Sequence, residues 1–172
     1  MRVFWIVAVF LMFLPAVHAA DGEIGFLFGG GGVTAGGEAA AVRAYSLGVG
    51  GLFLDRWGAE VCLEGFALDR DRGYDGLQVD VQYHFRSHAA PRTVIPYVVA
   101  GVGFRSDDWT ELPSYTTLRL GGGLRYYPWR FLGIRAEAGD DIVFAGESGY
   151  GAPFPGRVQH VLGVRAGVCL RF

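Results

Sequence analysis

LGVRAGVCLRF, Leu162 to Phe172, closes the chain and decides its reading. Leu162, Val164, Ala166, Val168, Leu170 and Phe172 share one parity. Gly163, Arg165, Gly167, Cys169 and Arg171 share the other. Successive side chains of a β-strand point to opposite faces, so the segment predicts a strand with one wholly apolar face. A helix would repeat its apolar positions every three to four residues instead.

The same alternation recurs backwards along the chain. Leu132, Ile134, Ala136 and Ala138 alternate with Gly133, Arg135, Glu137 and Gly139. Leu118, Leu120, Gly122, Leu124 and Tyr126 alternate with Arg119, Gly121, Gly123, Arg125 and Tyr127. Val98, Ala100, Val102 and Phe104 alternate with Val99, Gly101 and Gly103. Leu77, Val79, Val81, Tyr83 and Phe85 alternate with Gln78, Asp80, Gln82 and His84, and Trp57, Ala59, Val61 and Leu63 with Gly58, Glu60, Cys62 and Glu64. Two softer segments precede these. Tyr45, Leu47, Val49 and Phe53 oppose Ser46, Gly48 and Gly50, and Ile24, Phe26 and Phe28 mark the first strand. Eight strands result, the even number that single-chain bacterial barrels carry.

The connections support this reading. Short ones fall near Asp55-Arg56, at Arg86 to Thr93 and at Pro128 to Arg130. Longer ones are expected at Gly30 to Ala40, Ala67 to Gly76, Arg105 to Ser114 and Asp140 to Val158. Outer-membrane barrels pair short periplasmic turns with long external loops. Aromatic residues gather at the short-turn ends, where Trp57, Tyr83, Phe85, Tyr126, Trp129 and Phe131, with Phe53 and Phe172, are expected to form an interfacial girdle. Phe66, Phe104 and Tyr115 are expected to form a thinner girdle at the other end.

Composition agrees. Mean hydropathy is +0.28 and 51% of residues are hydrophobic, while only 19% are charged, below the roughly 25% of soluble domains. After the first residues no apolar run approaches the ~20 needed for a membrane helix. Every basic residue is Arg, so neither a phosphate-loop lysine nor a Schiff-base lysine exists. The net charge of −2 argues against nucleic acid as a partner.

The N-terminus reads as an export signal. Arg2 precedes an apolar run from Val3 to Leu14, Pro15 breaks it, and Val17-His18-Ala19 offers small residues around a cleavage point. Residues 1–20 are therefore expected to be a cleaved signal peptide and 21–172 one barrel domain.

Alternation alone also fits a soluble barrel with an apolar interior. Such a barrel would show solvent a face of glycine and a few arginines, poor in the charges that confer solubility. The reverse assignment is sounder. Apolar residues face lipid, and Glu60, Glu64, Gln78, Asp80, Gln82, His84, Arg119, Arg125, Arg135, Glu137, Arg165 and Arg171 face a narrow lumen as a nearly charge-balanced polar network. Eight strands leave an interior just wide enough for side chains, so the network is expected to plug it. The expected fold is all-β, an eight-stranded antiparallel up-and-down transmembrane β-barrel.

IPYVVAGVGF (Ile95 to Phe104), LRLGGGLRYYP (Leu118 to Pro128) and LGIRAEAG (Leu132 to Gly139) are similar to strands five, six and seven of the OmpA-like and OmpX-like small outer-membrane β-barrel families. The resemblance runs over the whole mature chain and specifies architecture better than activity. It implies that Phe172 is the terminal signal read by the barrel-insertion machinery. It also implies a Gram-negative outer-membrane location, with lipid and lipopolysaccharide as surroundings, external loops open to a surface ligand, and a monomer. Since alternation runs to Phe172, no wall-tethering domain is expected.

The residues point to no catalytic centre, cofactor or metal. His160 belongs to the lipid-facing parity, but Leu162 stands where a nearby serine nucleophile would be needed. Asp69, Asp71 and Asp75 loosely follow a calcium loop, but Tyr74 takes the glycine position and Arg70 and Arg72 offset the acids. Asp107, Asp108, Glu111, Asp140 and Asp141 read as acidic loop tips able to bind divalent ions that bridge lipopolysaccharide. His88 falls in a short turn, and the Gly29 to Gly32 run lacks the lysine of a phosphate loop. A structural or surface-interaction barrel is the leading expectation, and a narrow porin-like channel for small solutes the alternative. Cys62 and Cys169 lie on strands three and eight, which are not neighbours, and a disulfide needs Cα atoms within about 7 Å. Intact mass should therefore be the same with and without reductant; a loss of two hydrogens in the untreated sample would contradict free thiols.

Overall fold

The computed structural model describes residues 22–35, 38–67, 73–86, 93–106, 115–145 and 158–172. They form eight strands: β1 (Gly22–Ala35), β2 (Glu38–Leu54), β3 (Trp57–Ala67), β4 (Gly73–His84), β5 (Val94–Ser106), β6 (Tyr115–Tyr126), β7 (Leu132–Ala145) and β8 (Val158–Arg171). Each pairs antiparallel with the next, and β8 pairs with β1 to close the barrel. Closure matters because a sheet edge exposes unpaired backbone N–H and C=O groups. The seam runs from Glu23↔Arg171 to Thr34↔His160. At its end the Gly22 and Phe172 backbones exchange hydrogen bonds of 3.1 and 3.0 Å. Strands of 11 to 17 residues meet or exceed the 9–11 that a tilted strand needs to cross a bilayer.

Parity holds around the whole barrel, and it places the apolar face outside. Leu120, Ile134, Val164 and Val168 are 49%, 52%, 63% and 50% exposed. Over the same strands Arg119, Arg135 and Arg165 are buried. The interior is therefore polar and the exterior greasy, the inverse of a soluble barrel.

The described long connections differ from expectation. β1 continues to Ala35 and β2 begins at Glu38, with Ala35 in register with Glu38. Four consecutive glycines read as a loop, yet here they let backbones close up. A Cβ on Gly29 or Gly31 would overlap the carbonyl oxygens of Val164 or Leu162 on β8, and one on Gly167 would overlap that of Phe26. The β1–β8 seam is thus tightened by glycine from both sides. β7 likewise runs on through Asp140 and Asp141, β5 through Arg105, and β4 begins at Gly73. The readings at Asp69, Asp71, His88, Asp107, Asp108 and Glu111, and that of residues 1–20 as a signal peptide, lie outside the described residues.

The turn-side girdle is present. Phe53, Trp57, Phe85, Trp129, Phe131 and Phe172 are exposed at one end, and Trp57, Tyr83 and Phe85 stack edge-to-face at 5.0 and 5.5 Å. The thinner girdle is corrected. Phe104 is outside, but Phe66 and Tyr115 are only 5% and 2% exposed. Both have lumen parity, and they join Val33, Val42, Ala44, Val143 and Val161 in an apolar cap inside the loop end of the barrel.

Gly31→Val should lower the unfolding free energy by the roughly 1–3 kcal/mol typical of overpacking, read as a lower urea midpoint at unchanged slope, since its Cβ would also meet Gly163 Cα at 2.6 Å. Gly32→Ala, whose Cβ meets only the Ala40 carbonyl at 3.7 Å, should leave the midpoint unchanged.

Candidate functional site: a buried ion-pair network in the lumen

The alternation that puts aliphatic residues outside delivers long charged side chains to the lumen. Glu60 and Glu64 come from β3, Gln78, Asp80, Gln82 and His84 from β4, Arg119 and Arg125 from β6, Arg135 and Glu137 from β7, and Arg165 from β8. All are buried. β1 and β2 leave room opposite them. A Cβ on Gly48 would overlap the Glu60 carboxylate and come within 3.0 Å of Cys62 Sγ.

Two arginines organise the centre. Arg119 donates to Asp141 through Nε (2.8 Å) and Nη2 (3.2 Å), to Asp80 through Nη1 (3.0 Å), and to Glu64 through Nη2. One guanidinium thereby ties β6 to β3, β4 and β7. Arg135 donates from Nη1 to both Glu60 oxygens (2.9 and 2.7 Å), from Nη2 to Glu137 (2.7 Å) and from Nε to the Tyr97 hydroxyl (2.8 Å). Tyr97 in turn donates to Glu137 (2.8 Å). The planar fork of guanidinium suits such multiple recognition, which a lysine ammonium cannot copy.

Arg165 spans the lumen to Glu64 at 2.8 Å and reaches Glu137 at 3.3 Å. Arg105 lies 3.3 Å from Glu64 and 4.0 Å above the Phe66 ring. At the turn end Arg125 pairs with Glu23 at 3.0 Å and donates to Gln82 at 2.6 Å. Gln82 donates to Glu60 at 2.6 Å, and Tyr127 donates to Glu23. His84 packs edge-on to Tyr97 at 5.6 Å. Arg171 is half-buried at the rim, 5.8 Å from the Tyr127 ring. The buried carboxylates Glu23, Glu60, Glu64, Asp80, Glu137 and Asp141 face the buried arginines Arg105, Arg119, Arg125, Arg135 and Arg165, with Arg171 beside them.

All twelve lumen residues expected from sequence thus belong to the interior, with Arg171 at its edge. Sequence reasoning missed Glu23, Tyr97, Arg105 and Asp141. Parity would have found them, because Tyr97 and Arg105 share it with Gly101, and Asp141 with Glu137. Asp141 is corrected from an external acidic tip to a buried partner of Arg119. Asp140 instead faces outward and lies 2.7 Å from His160 Nδ1. Cys62 and Cys169 are both buried with free thiols.

The turn-side end of the lumen encloses a cavity of about 20 Å³, bordered by Glu23, Glu60, Gln82, His84, Arg125 and Tyr127. That is room for about one water.

No family model matches the chain, and no curated protein matches it. Solved structures do. The Neisserial surface protein A (NspA) superposes with a TM-score of 0.62 at 17% identity, covering 88% of this chain and 97% of that one. A de novo designed transmembrane β-barrel gives 0.57 at 15% identity, over 89% and 96%. The N-terminal β-barrel domain of Pseudomonas aeruginosa OprF gives 0.52 at 22% identity, over 89% and 98%. The likeness is one of fold. The chain has the architecture of small outer-membrane eight-stranded barrels.

Glu64→Ala leaves Arg119, Arg165 and Arg105 short of their shared carboxylate and should cost roughly 3–5 kcal/mol in urea unfolding. Arg119→Lys keeps the charge but not the fork, and should still cost about 1.5–3 kcal/mol for each charged hydrogen bond it fails to replace.

Proposed function

We propose that this chain is an integral outer-membrane β-barrel protein with a structural and surface-interaction role, its lumen closed and its external loops serving as the contact surface. The carrying observation is the inverted barrel: an aliphatic outer wall around an interior of paired arginines and carboxylates. An aliphatic wall of this extent is stable against hydrocarbon, and a closed sheet satisfies the backbone where no water reaches it. The aromatic ends support an interfacial position on the turn side.

In this reading residues 1–20 direct export and are removed, and Phe172 is the residue that the insertion machinery recognises. Lipid and lipopolysaccharide surround a monomer. No catalytic step is assigned to the lumen, whose charged groups are occupied by one another. The ion pairs and the apolar cap at the loop end oppose the channel reading, because a solute would have to displace both.

Purified full chain should refold into lipid vesicles and migrate differently before and after heating in detergent. In planar bilayers it should give no steady single-channel conductance. Recovery in the periplasmic soluble fraction would overturn the membrane assignment, and reproducible unitary currents would overturn the closed lumen in favour of the channel.

A further inference from the structure

The buried arginines of the lumen are all paired with carboxylates. Three arginines at the turn end are not. Arg56, Arg86 and Arg130 are exposed, and among the described residues none of them has an ion-pair partner. Asp55 is the one acidic side chain on the described part of these turns. The turn end is therefore a cationic rim.

Each of the three arginines stands next to an exposed aromatic residue. Arg56 precedes Trp57, Arg86 follows Phe85, and Arg130 lies between Trp129 and Phe131. Each is also tied to the barrel through the backbone. The Arg56 carbonyl accepts from His84 N at 2.7 Å, Phe85 N donates to the Pro96 carbonyl at 2.9 Å, and the Phe131 carbonyl accepts from Arg171 N at 2.9 Å. Strands β4, β5 and β8 thus hold the points from which the guanidiniums spring. Aromatic rings take the boundary between hydrocarbon and headgroups. An arginine one residue away lays its aliphatic stem along that boundary and puts its charge at headgroup depth.

We propose that Arg56, Arg86 and Arg130 form a binding rim for anionic phospholipid headgroups in the leaflet at the turn end. The guanidinium fork matches the oxygens of a phosphodiester. A headgroup without an ammonium is preferred, because only Asp55 stands ready to receive one against three cations. A lipid is favoured over a soluble acidic polymer because every one of these arginines is joined directly to a boundary ring, in the headgroup layer itself. The tied turns lower the ordering cost of binding. This inference rests on the membrane reading above.

The test places the folded full chain in phosphatidylcholine nanodiscs containing a minority of phosphatidylglycerol, with folding of every variant checked by heat-dependent migration. Native mass spectrometry then counts the two lipids retained on the released barrel. The wild type should retain phosphatidylglycerol in preference. Arg56→Gln, Arg86→Gln and Arg130→Gln should each weaken that preference about fivefold, equivalent to about 1 kcal/mol for one cation at an anionic leaflet, and the triple variant should hold both lipids alike. Arg43→Gln, which removes an exposed arginine at the loop end of β2, should cost less than any turn variant. Equal retention of the two lipids by the wild type, an unchanged triple variant, or an equal loss in Arg43→Gln overturns the proposal. So does displacement of the lipid by polyglutamate at physiological ionic strength, which would assign the rim to a soluble acidic polymer. A chain that refuses the nanodisc altogether overturns the membrane reading beneath it.

Discussion

A guanidinium taken out of water must find carboxylates, and the interior of this barrel is organised by that requirement. Arg119 answers it with Glu64, Asp80 and Asp141, contributed by three other strands. Arg135 answers it with Glu60 and Glu137. Arg135 and Glu137 share β7, but the other partners lie on different strands, and those pairs also fix the barrel's cross-section. A mismatch in strand register by one residue would turn a charge outward and an aliphatic side chain inward. Registry, closure and charge pairing therefore stand or fall together.

Room for this network comes from asymmetry within the wall. Apart from Glu23 at the turn end of β1, strands β3 to β8 supply the long charged side chains, while β1 and β2 contribute Gly25, Ser46, Gly48 and Gly50 to the same interior. The Glu60 carboxylate occupies the space a Gly48 side chain would take. Glycine has two separate duties here. Inside, it makes volume for charged groups; along the β1–β8 seam, it lets backbones approach.

The two ends are built differently. The turn end carries stacked aromatic rings outside and the Tyr127, Ile95 and Cys169 cluster inside. The loop end carries an interior apolar cap, with polar pairs on its outer wall. Tyr45 donates to Asp75 across Gly65, where a Cβ would overlap the Tyr45 ring. Asp140 meets His160 further round. Rings mark one limit of the apolar wall, and these acid-centred pairs mark the other.

Period-two patterning by itself determined the eight strands, their facing and twelve residues of the interior. Side-chain direction in a strand follows from chain geometry alone, so those features needed no contact information. Three things were decided only in the folded barrel. Glycines 29 to 32 and the acids at 140 and 141 read locally as loop, since their acceptability in a strand depends on backbones and arginines that β8 and β6 bring to them. Phe66 and Tyr115 looked like girdle residues by type, and they turn inward because pairing with β2, β4, β5 and β7 keeps their strands regular to the loop end. The specific pairing of carboxylates with arginines also lay beyond the sequence, because several matches are possible on charge alone. Strand register and the reach of each side chain select among them.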